Sequence, residues 1–300
     1  MKTRTMKILT YVILIWLVSA SYSYYIYSET NSSYTDYLYE DEEGFFSQIW
    51  DKITPGKLKL KAKAAIAVDA VTGKVIFAKN RNRQLPIASL TKLATALVFL
   101  ENNPELNGVI TIAETDKNGV SSSKLYTGET ITIHDCLHMC LMSSDNVATK
   151  ALVRSSGFSQ EKFVELMNRL AIDLNMRNTR FVDPTGLMAG NISTVADYIK
   201  LIKRVFENET IAKISAKKSY QFKALNKDIT HILYNTNHLL YSDWNIKGGK
   251  TGYISQSGYC LALDVTDDSG REITTLVLGS PSNKHRYRDA YRLMSYAMKN

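Results

Sequence analysis

The sequence predicts an α+β domain: a mostly antiparallel sheet flanked by helices, with a helical subdomain inserted between its N-terminal and C-terminal strands. Two observations carry this expectation. Short apolar, β-branched runs bounded by turn residues cluster around residues 64–80 and 245–278, near both ends of the chain. Between them, from about 134 to 210, apolar residues recur at helical spacing.

The chain has 300 residues, of which 45% are hydrophobic and 22% charged. That is enough to bury a sizeable core without staples. It begins with Lys2, Arg4 and Lys7, followed by the apolar run Ile8–Val18 and a small residue at Ala20. A positive region, a short apolar region and a small residue at the cleavage position are the marks of a secretory signal. Residues 1–20 are therefore assigned as a signal peptide. The alternative is a retained N-terminal membrane tether, because no charge intervenes between Lys7 and Glu29. Either way the remainder works outside the cytoplasm. Residues 21–59 are rich in Tyr and Ser, turn acidic at Glu40–Glu43 and contain Pro55-Gly56. They read as a linker, with Phe45, Phe46 and Trp50 as its docking side chains. No internal repeat is evident.

The folded domain is expected over 60–300. Ala64–Ala70 and Lys74–Asn80 read as strands joined by a tight turn at Thr72-Gly73. Pro86 precedes an apolar helix from Ser89 to about Leu100. Helices follow over 145–153, 160–174 and 194–206, the last opening on the Thr194…Asp197 pair of an N-cap. Strands return at 245–250, 259–265 and 272–278, and a helix over 284–297 closes the chain.

Composition excludes several classes. The net charge is +8, but the positive residues are scattered and no nucleic-acid-binding signature accompanies them. The three cysteines Cys136, Cys140 and Cys260 make no disulfide framework. His134, Cys136, His138 and Cys140 superficially suggest a ligand cluster. On a helix the two histidines share a face that the cysteines leave, so four ligands do not converge. No metal or other cofactor is expected.

Ser89-Leu-Thr-Lys92 places a hydroxyl and an ammonium at i and i+3 on one helix face. A serine is a poor nucleophile until a base takes its proton, and a lysine serves once burial or a nearby cation depresses its pKa. The same spacing occurs at Ser121…Lys124, Ser159…Lys162 and Ser215…Lys218. Ser89 differs by opening an apolar helix after a proline. Ser144-Asp145-Asn146 lies at a junction of two helical segments, where such a triplet is most often a helix cap. Its hydroxyl can relay a proton and its amide can hold a peptide group. Lys250-Thr251-Gly252 reads as the end of a strand. Its cation and hydroxyl suit a carboxylate, and its glycine permits close approach.

In this order the three elements resemble the signatures of the penicillin-binding protein and serine β-lactamase superfamily. Pro86-Ile-Ala-Ser-Leu-Thr-Lys92, Phe163–Asn168, Phe181-Val-Asp-Pro-Thr-Gly-Leu187, Asn235-Thr-Asn237 and Lys250–Tyr253 are similar to the low-molecular-mass D-alanyl-D-alanine peptidases. The likeness covers about 62–295, and Met142–Asn146, Asp183–Gly186 and Lys250–Ile254 look most like the periplasmic DD-endopeptidase branch. The end of the chain at Asn300, without a further β-rich domain, points the same way.

The resemblance implies a serine β-lactamase/DD-transpeptidase-like fold and an acyl-enzyme at Ser89. Lys92 would be its general base, helped by the positive potential of Lys250. Ser144 would pass a proton to the leaving amine, Asn146 would orient the substrate amide, and Thr251 would contact the terminal carboxylate. Gly252 and Tyr253 would complete the substrate-binding strand, with the N–H groups of Ser89 and Tyr253 as the oxyanion hole. It implies peptidoglycan peptides as substrate and β-lactams as acylating inhibitors; a monomer is expected, though no residue pattern fixes the oligomeric state. A class A β-lactamase or a non-catalytic penicillin sensor are the alternatives. The lactamase would need a deacylating glutamate, and Glu165 has the wrong spacing and reads as a solvated face.

Overall fold

A computed structural model describes residues 58–300 apart from 103 and 268. The signal peptide and almost all of the linker lie outside the described residues. Strand β1 (Ala64–Asp69) and strand β2 (Val75–Lys79) form a hairpin, and the C-terminal half supplies β9 (Asn245–Ile254), β10 (Gly258–Thr266) and β11 (Glu272–Ser280). They assemble in the order β2-β1-β11-β10-β9, antiparallel at every pairing. The N-terminal hairpin thus docks on the last strand, as expected from strands at both ends.

The period of two explains why this sheet has a core on each face. Ala64, Ile66 and Val68 of β1 face a helical layer, together with Cys260, Ala262, Leu276 and Leu278. Ala65 and Ala67 face the opposite way, with Leu261, Leu263 and Val277, onto the closing helix through Ala290, Leu293, Met294 and Ala297. That helix starts at Asn283, with Ser282 as its N-cap, and runs to Lys299. Asp289, on its buried side, accepts the backbone N–H groups of Lys61 and Ala62 (3.0 and 2.6 Å).

The inserted layer consists of α1 (Thr91–Glu101), α2 (Glu114–Lys117), α3 (Ile133–Leu141), α4 (Asn146–Ser155), α5 (Gln160–Asp173), α6 (Val195–Phe206) and α7 (Glu209–Ser215); the closing helix is α8. Phe99, Met139, Phe163, Tyr198 and Leu201 are almost fully buried in it. Each long side chain of this kind contributes about 2 kcal/mol when removed from water.

Three features depart from the sequence reading. Ser89 lies in a 3-10 turn, Ala88–Leu90, and the α-helix starts only at Thr91. Lys250-Thr251-Gly252 sits inside β9, which continues to Ile254, rather than at its end. Glycines at 248, 249 and 252 weaken the local strand signal, yet pairing with β10 carries the ladder through them. An exposed hairpin, β7 (Ser219–Lys223) and β8 (Thr230–Tyr234), was not expected at all. Two further small sheets pair β3 (Leu85–Pro86) with β6 (Ile192–Ser193), and β4 (Val109–Thr111) with β5 (Thr130–Thr132).

Candidate active site

The 3-10 turn is gripped between the loop at Gly186 and strand β9 at Gly252. Gly186 has φ +83°, and a Cβ there would lie 2.1 Å from the Ala88 carbonyl oxygen. On the other side, a Cβ on Gly252 of β9 would come within 3.1 Å of both the Ile87 oxygen and the Ser89 nitrogen. Held this way, Ala88 adopts φ +49°, a left-handed conformation that alanine seldom takes. The Thr91 hydroxyl donates to its carbonyl (2.7 Å) and Tyr198 donates to Leu90 O (2.5 Å), fixing the turn. The Ser89 N–H has no acceptor among the described residues, and Ser89 itself is partly exposed.

Lys92 follows one turn on and is fully buried. Its Nζ donates to Ser89 Oγ (3.1 Å), Asn146 Oδ1 (2.6 Å) and the Thr185 carbonyl (2.6 Å). Burial lowers its pKa to about 8, against the opposing pull of Cys140, Asp183 and Asp145. Asn146 reaches it because Asp145 caps α4, accepting from Ala148 N (2.9 Å). Thus Asp145 is a helix cap, while the residue after it faces the lysine. Ser144, the remaining member of that triplet, stands at φ +61° and is half-buried. Its hydroxyl makes no hydrogen bond to Ser89, Lys92 or any other described residue.

Lys250 is the second buried lysine. Its Nζ donates to Thr251 O (3.0 Å), and burial together with the charge of Lys92 holds its pKa well below the usual range. Coulomb repulsion is reciprocal, so the pair resists carrying two protons at once. For Lys92, however, burial leads. Thr251 shares a 2.6 Å hydrogen bond with Thr236, whose hydroxyl also reaches Met142 O (3.2 Å), joining β9 to the segment before Ser144. Tyr253 is half exposed and stacks on Tyr259 with centroids 4.3 Å apart.

Several contributors escaped the sequence reading. The Asp183 carboxylate accepts Thr185 N and Gly186 N (2.7 and 2.8 Å), the Thr185 hydroxyl (2.5 Å) and Met188 N (2.9 Å). Asn191 then accepts Val182 N (2.6 Å) and donates to Asp183 Oδ2 (3.0 Å) and Thr91 Oγ1 (3.2 Å). This network aims the Thr185 carbonyl at Lys92. Arg286 of α8 lies buried behind β9, with Nη1 3.4 Å from Gly252 O and its guanidinium over the rings of Tyr287 and Tyr259 (4.7 and 5.5 Å). No carboxylate pairs with it among the described residues, and its Nε has no partner. Its phase gives it away: it shares an i, i+4, i+7 stripe with Ala290 and Leu293, and a cation in an apolar stripe calls for a reason.

Around Ser89, then, stand a buried lysine able to release its proton near neutral pH, an unpaired backbone N–H, a second buried lysine and a buried guanidinium. This arrangement can activate a hydroxyl, receive an oxyanion and draw in a carboxylate. The three buried cysteines are free: Cys136 donates to Ala148 O (3.2 Å), and Cys140, which accepts from Thr149, is the one that bears on Lys92.

Known proteins share the arrangement's framework. The profile of a family described as D-alanyl-D-alanine carboxypeptidase matches residues 51–282. A D-alanyl-D-alanine endopeptidase of Pseudomonas aeruginosa is 34% identical over 242 residues, covering 80% of this chain and 78% of that protein. A D-alanyl-D-alanine carboxypeptidase of Bacillus subtilis is 31% identical, covering 80% of this chain and 63% of that one. Among solved structures, the Streptomyces K15 DD-transpeptidase superposes with a TM-score of 0.77 at 27% identity, over 82% of this chain and all of that one.

Proposed function

The chain belongs to the D-alanyl-D-alanine carboxypeptidase family, and on that premise we propose that it is a serine peptidase that cleaves D-alanyl bonds in peptidoglycan through an acyl-enzyme at Ser89. The observation that carries the reading is the contact of Lys92 Nζ with Ser89 Oγ at 3.1 Å, made by a lysine whose pKa is lowered to about 8. Roughly a tenth of the molecules then hold Lys92 neutral at pH 7, against well under a thousandth for an ordinary lysine.

Neutral Lys92 takes the Ser89 proton while Oγ bonds to the carbonyl carbon of the D-alanine on the acyl side of the scissile bond. The oxyanion is received by the N–H groups of Ser89 and Tyr253. Collapse of the tetrahedral intermediate breaks the C–N bond, and the departing amine takes a proton relayed by Ser144. Asn146 orients the substrate amide beside the lysine. Thr251 contacts the substrate carboxylate in the field of Lys250 and Arg286, while Gly252 admits the peptide to β9. Water, deprotonated by the same lysine, frees the acyl group. A β-lactam follows the same path but leaves no departing amine, so Ser89 stays acylated.

The bond is that of a D-alanyl cross-link, making the protein a DD-endopeptidase. The endopeptidase relative is matched over more of its length than the carboxypeptidase relative, and the motif wording points to the same branch. Residues 1–20 export the chain, and the domain works as a monomer outside the cytoplasm. Residues 60–300 form the catalytic domain. A lactamase role lacks support: Glu165 is exposed and ion-paired with Lys162 (2.9 Å).

Wild type labels with a fluorescent penicillin and Ser89→Ala does not; equal labelling of both contradicts the assignment of the nucleophile. Mass spectrometry of digested muropeptides reads the bond: loss of cross-linked dimers is expected, and loss of a single alanine without loss of dimers contradicts the endopeptidase reading.

A further inference from the structure

The β7–β8 hairpin presents an unusual exterior. Along β8 burial alternates strictly, with His231 and Leu233 buried while Ile232 and Tyr234 face solvent, Tyr234 at 65% exposure. At the hairpin's base, Tyr241 is half exposed and Lys218 Nζ stands 5.3 Å from its ring centroid. Near its tip, Tyr126 is likewise exposed beneath Lys117 Nζ at 6.0 Å. An exposed cation over an aromatic ring forms a combined apolar and positive surface. Residues 217–238 carry four lysines against one aspartate.

This surface is tied to the reaction centre at both ends. Two residues beyond β8, Thr236 shares its hydrogen bond with Thr251 (2.6 Å). At the tip, Asn226 donates to Gly128 O (2.8 Å) and accepts from Thr130 N (2.8 Å). The segment leading to that loop carries Ser123, which donates to Asp145 Oδ2 (2.8 Å), and Lys124, which reaches Ile232 O (3.4 Å). The five residues of β8 span about 14 Å, far more than one D-alanyl dipeptide fills.

We propose that the outer face of β7–β8, with Tyr234 on it and Lys218 and Tyr241 at its base, is a docking strip for the peptidoglycan polymer itself, as distinct from the peptide bond being cut. Saccharide C–H faces pack on the tyrosine rings and the polymer's carboxylates meet the lysines. The proposal rests on the peptidoglycan reading above and deepens it: the acylation centre handles any D-alanyl mimic, and the strip selects the assembled, anionic glycopeptide. Charge complementarity argues for this occupant over a second copy of the chain, whose own strip carries the same positive sign.

The test compares wild type, Y234A/Y241A, K218E and Ser89→Ala. Y234A/Y241A should label with fluorescent penicillin within twofold of the wild-type rate. Its co-sedimentation with purified insoluble peptidoglycan, and its release of soluble fragments from it, should both fall at least tenfold. K218E should lose about fivefold in co-sedimentation. Ser89→Ala should keep wild-type co-sedimentation while losing labelling, which separates failure of the strip from failure of the nucleophile assignment. The proposal is overturned if Y234A/Y241A sediments with peptidoglycan as wild type does, or if its penicillin labelling falls in parallel. A wild-type dimer that Y234A/Y241A dissolves would assign the face to self-association instead, and overturn it equally.

Discussion

The floor beneath Ser89 and the β7–β8 wall beside it are built by opposite means. In the floor, buried polar groups answer one another: Asp183, Asn191, Thr185 and Lys92 are each almost fully buried, and each is hydrogen-bonded. In the wall, one face is anchored by a buried pair, His231 Nε2 against Glu129 Oε1, and by Phe222 stacked on His231 at 4.8 Å. The other face is open. A buried, satisfied network has one low-energy arrangement, because any displacement strands a donor or acceptor. An anchored hairpin with a free face keeps its position while its exposed side chains adjust. Chemistry that must hold atoms to a few tenths of an ångström uses the first design, and contact with a variable polymer uses the second.

The comparison can be broken most forcibly from the floor. Asp183→Ala removes the acceptor for three backbone N–H groups, two of them buried, and should cost about 4 kcal/mol of stability. Penicillin acylation of what remains folded should fall at least a hundredfold, because the Thr185 carbonyl is released. Chemical denaturation and labelling rates read both. Gly186→Ala comes next. The left-handed φ and the 2.1 Å approach to Ala88 O force either the loop or the turn to move. Acylation should drop at least tenfold, for a stability loss of about 2 kcal/mol.

On the wall, His231→Ala leaves the carboxylate of Glu129 buried without its partner and should cost about 3 kcal/mol. Here acylation by a small penicillin should stay within about threefold at a temperature where the variant is folded. An acylation loss as large as that of Asp183→Ala would erase the distinction.

The smallest expected effect belongs to the seam between the regions. His138 of α3 stacks on Tyr220 of β7 at 3.6 Å and accepts from Lys217 Nζ (3.3 Å). Burial lowers its pKa to about 4. Below about pH 6.5 the unfolded histidine takes a proton that the folded one refuses until about 4. Stability present above pH 6.5 is therefore lost as pH falls through that window, on the order of 2 kcal/mol. His138→Phe should shrink the loss measured by urea titration at pH 7 and pH 4.5.

Much of the framework was legible in the sequence because β1, β2, β10 and β11 are short apolar runs bounded by turn residues, and α8 recurs at helical spacing. The contact of Ser89 with Lys92 was legible because an i, i+3 pair opens an apolar helix after Pro86, with the Ser144–Asn146 and Lys250–Gly252 elements following in order. What stayed hidden obeys other rules. The Thr185 carbonyl is a backbone group inside the Asp183–Gly186 motif, and the side chains of that motif do not announce which carbonyl meets Lys92. Asn191 and Asp183 act through bonds to backbone that exist only once the loop is closed. The wall was missed because β8 buries a histidine and exposes a tyrosine, reversing the polarity by which strands are read. The left-handed Ala88 and Ser144 carry no local signal either, since neither residue type favours that conformation. Such departures gather where the chain positions reactive groups.

The central claim is that burial makes Lys92 the base for Ser89. The pH dependence of the second-order rate constant for penicillin acylation tests it most directly. With a lysine pKa near 8, the rate should climb about tenfold per pH unit from 6 to 7 and level off above about 8. Lys92→Ala should lose both the rate and the slope while remaining folded. A wild-type profile flat from pH 6 to 9, or a Lys92→Ala variant that keeps the slope, would contradict the account.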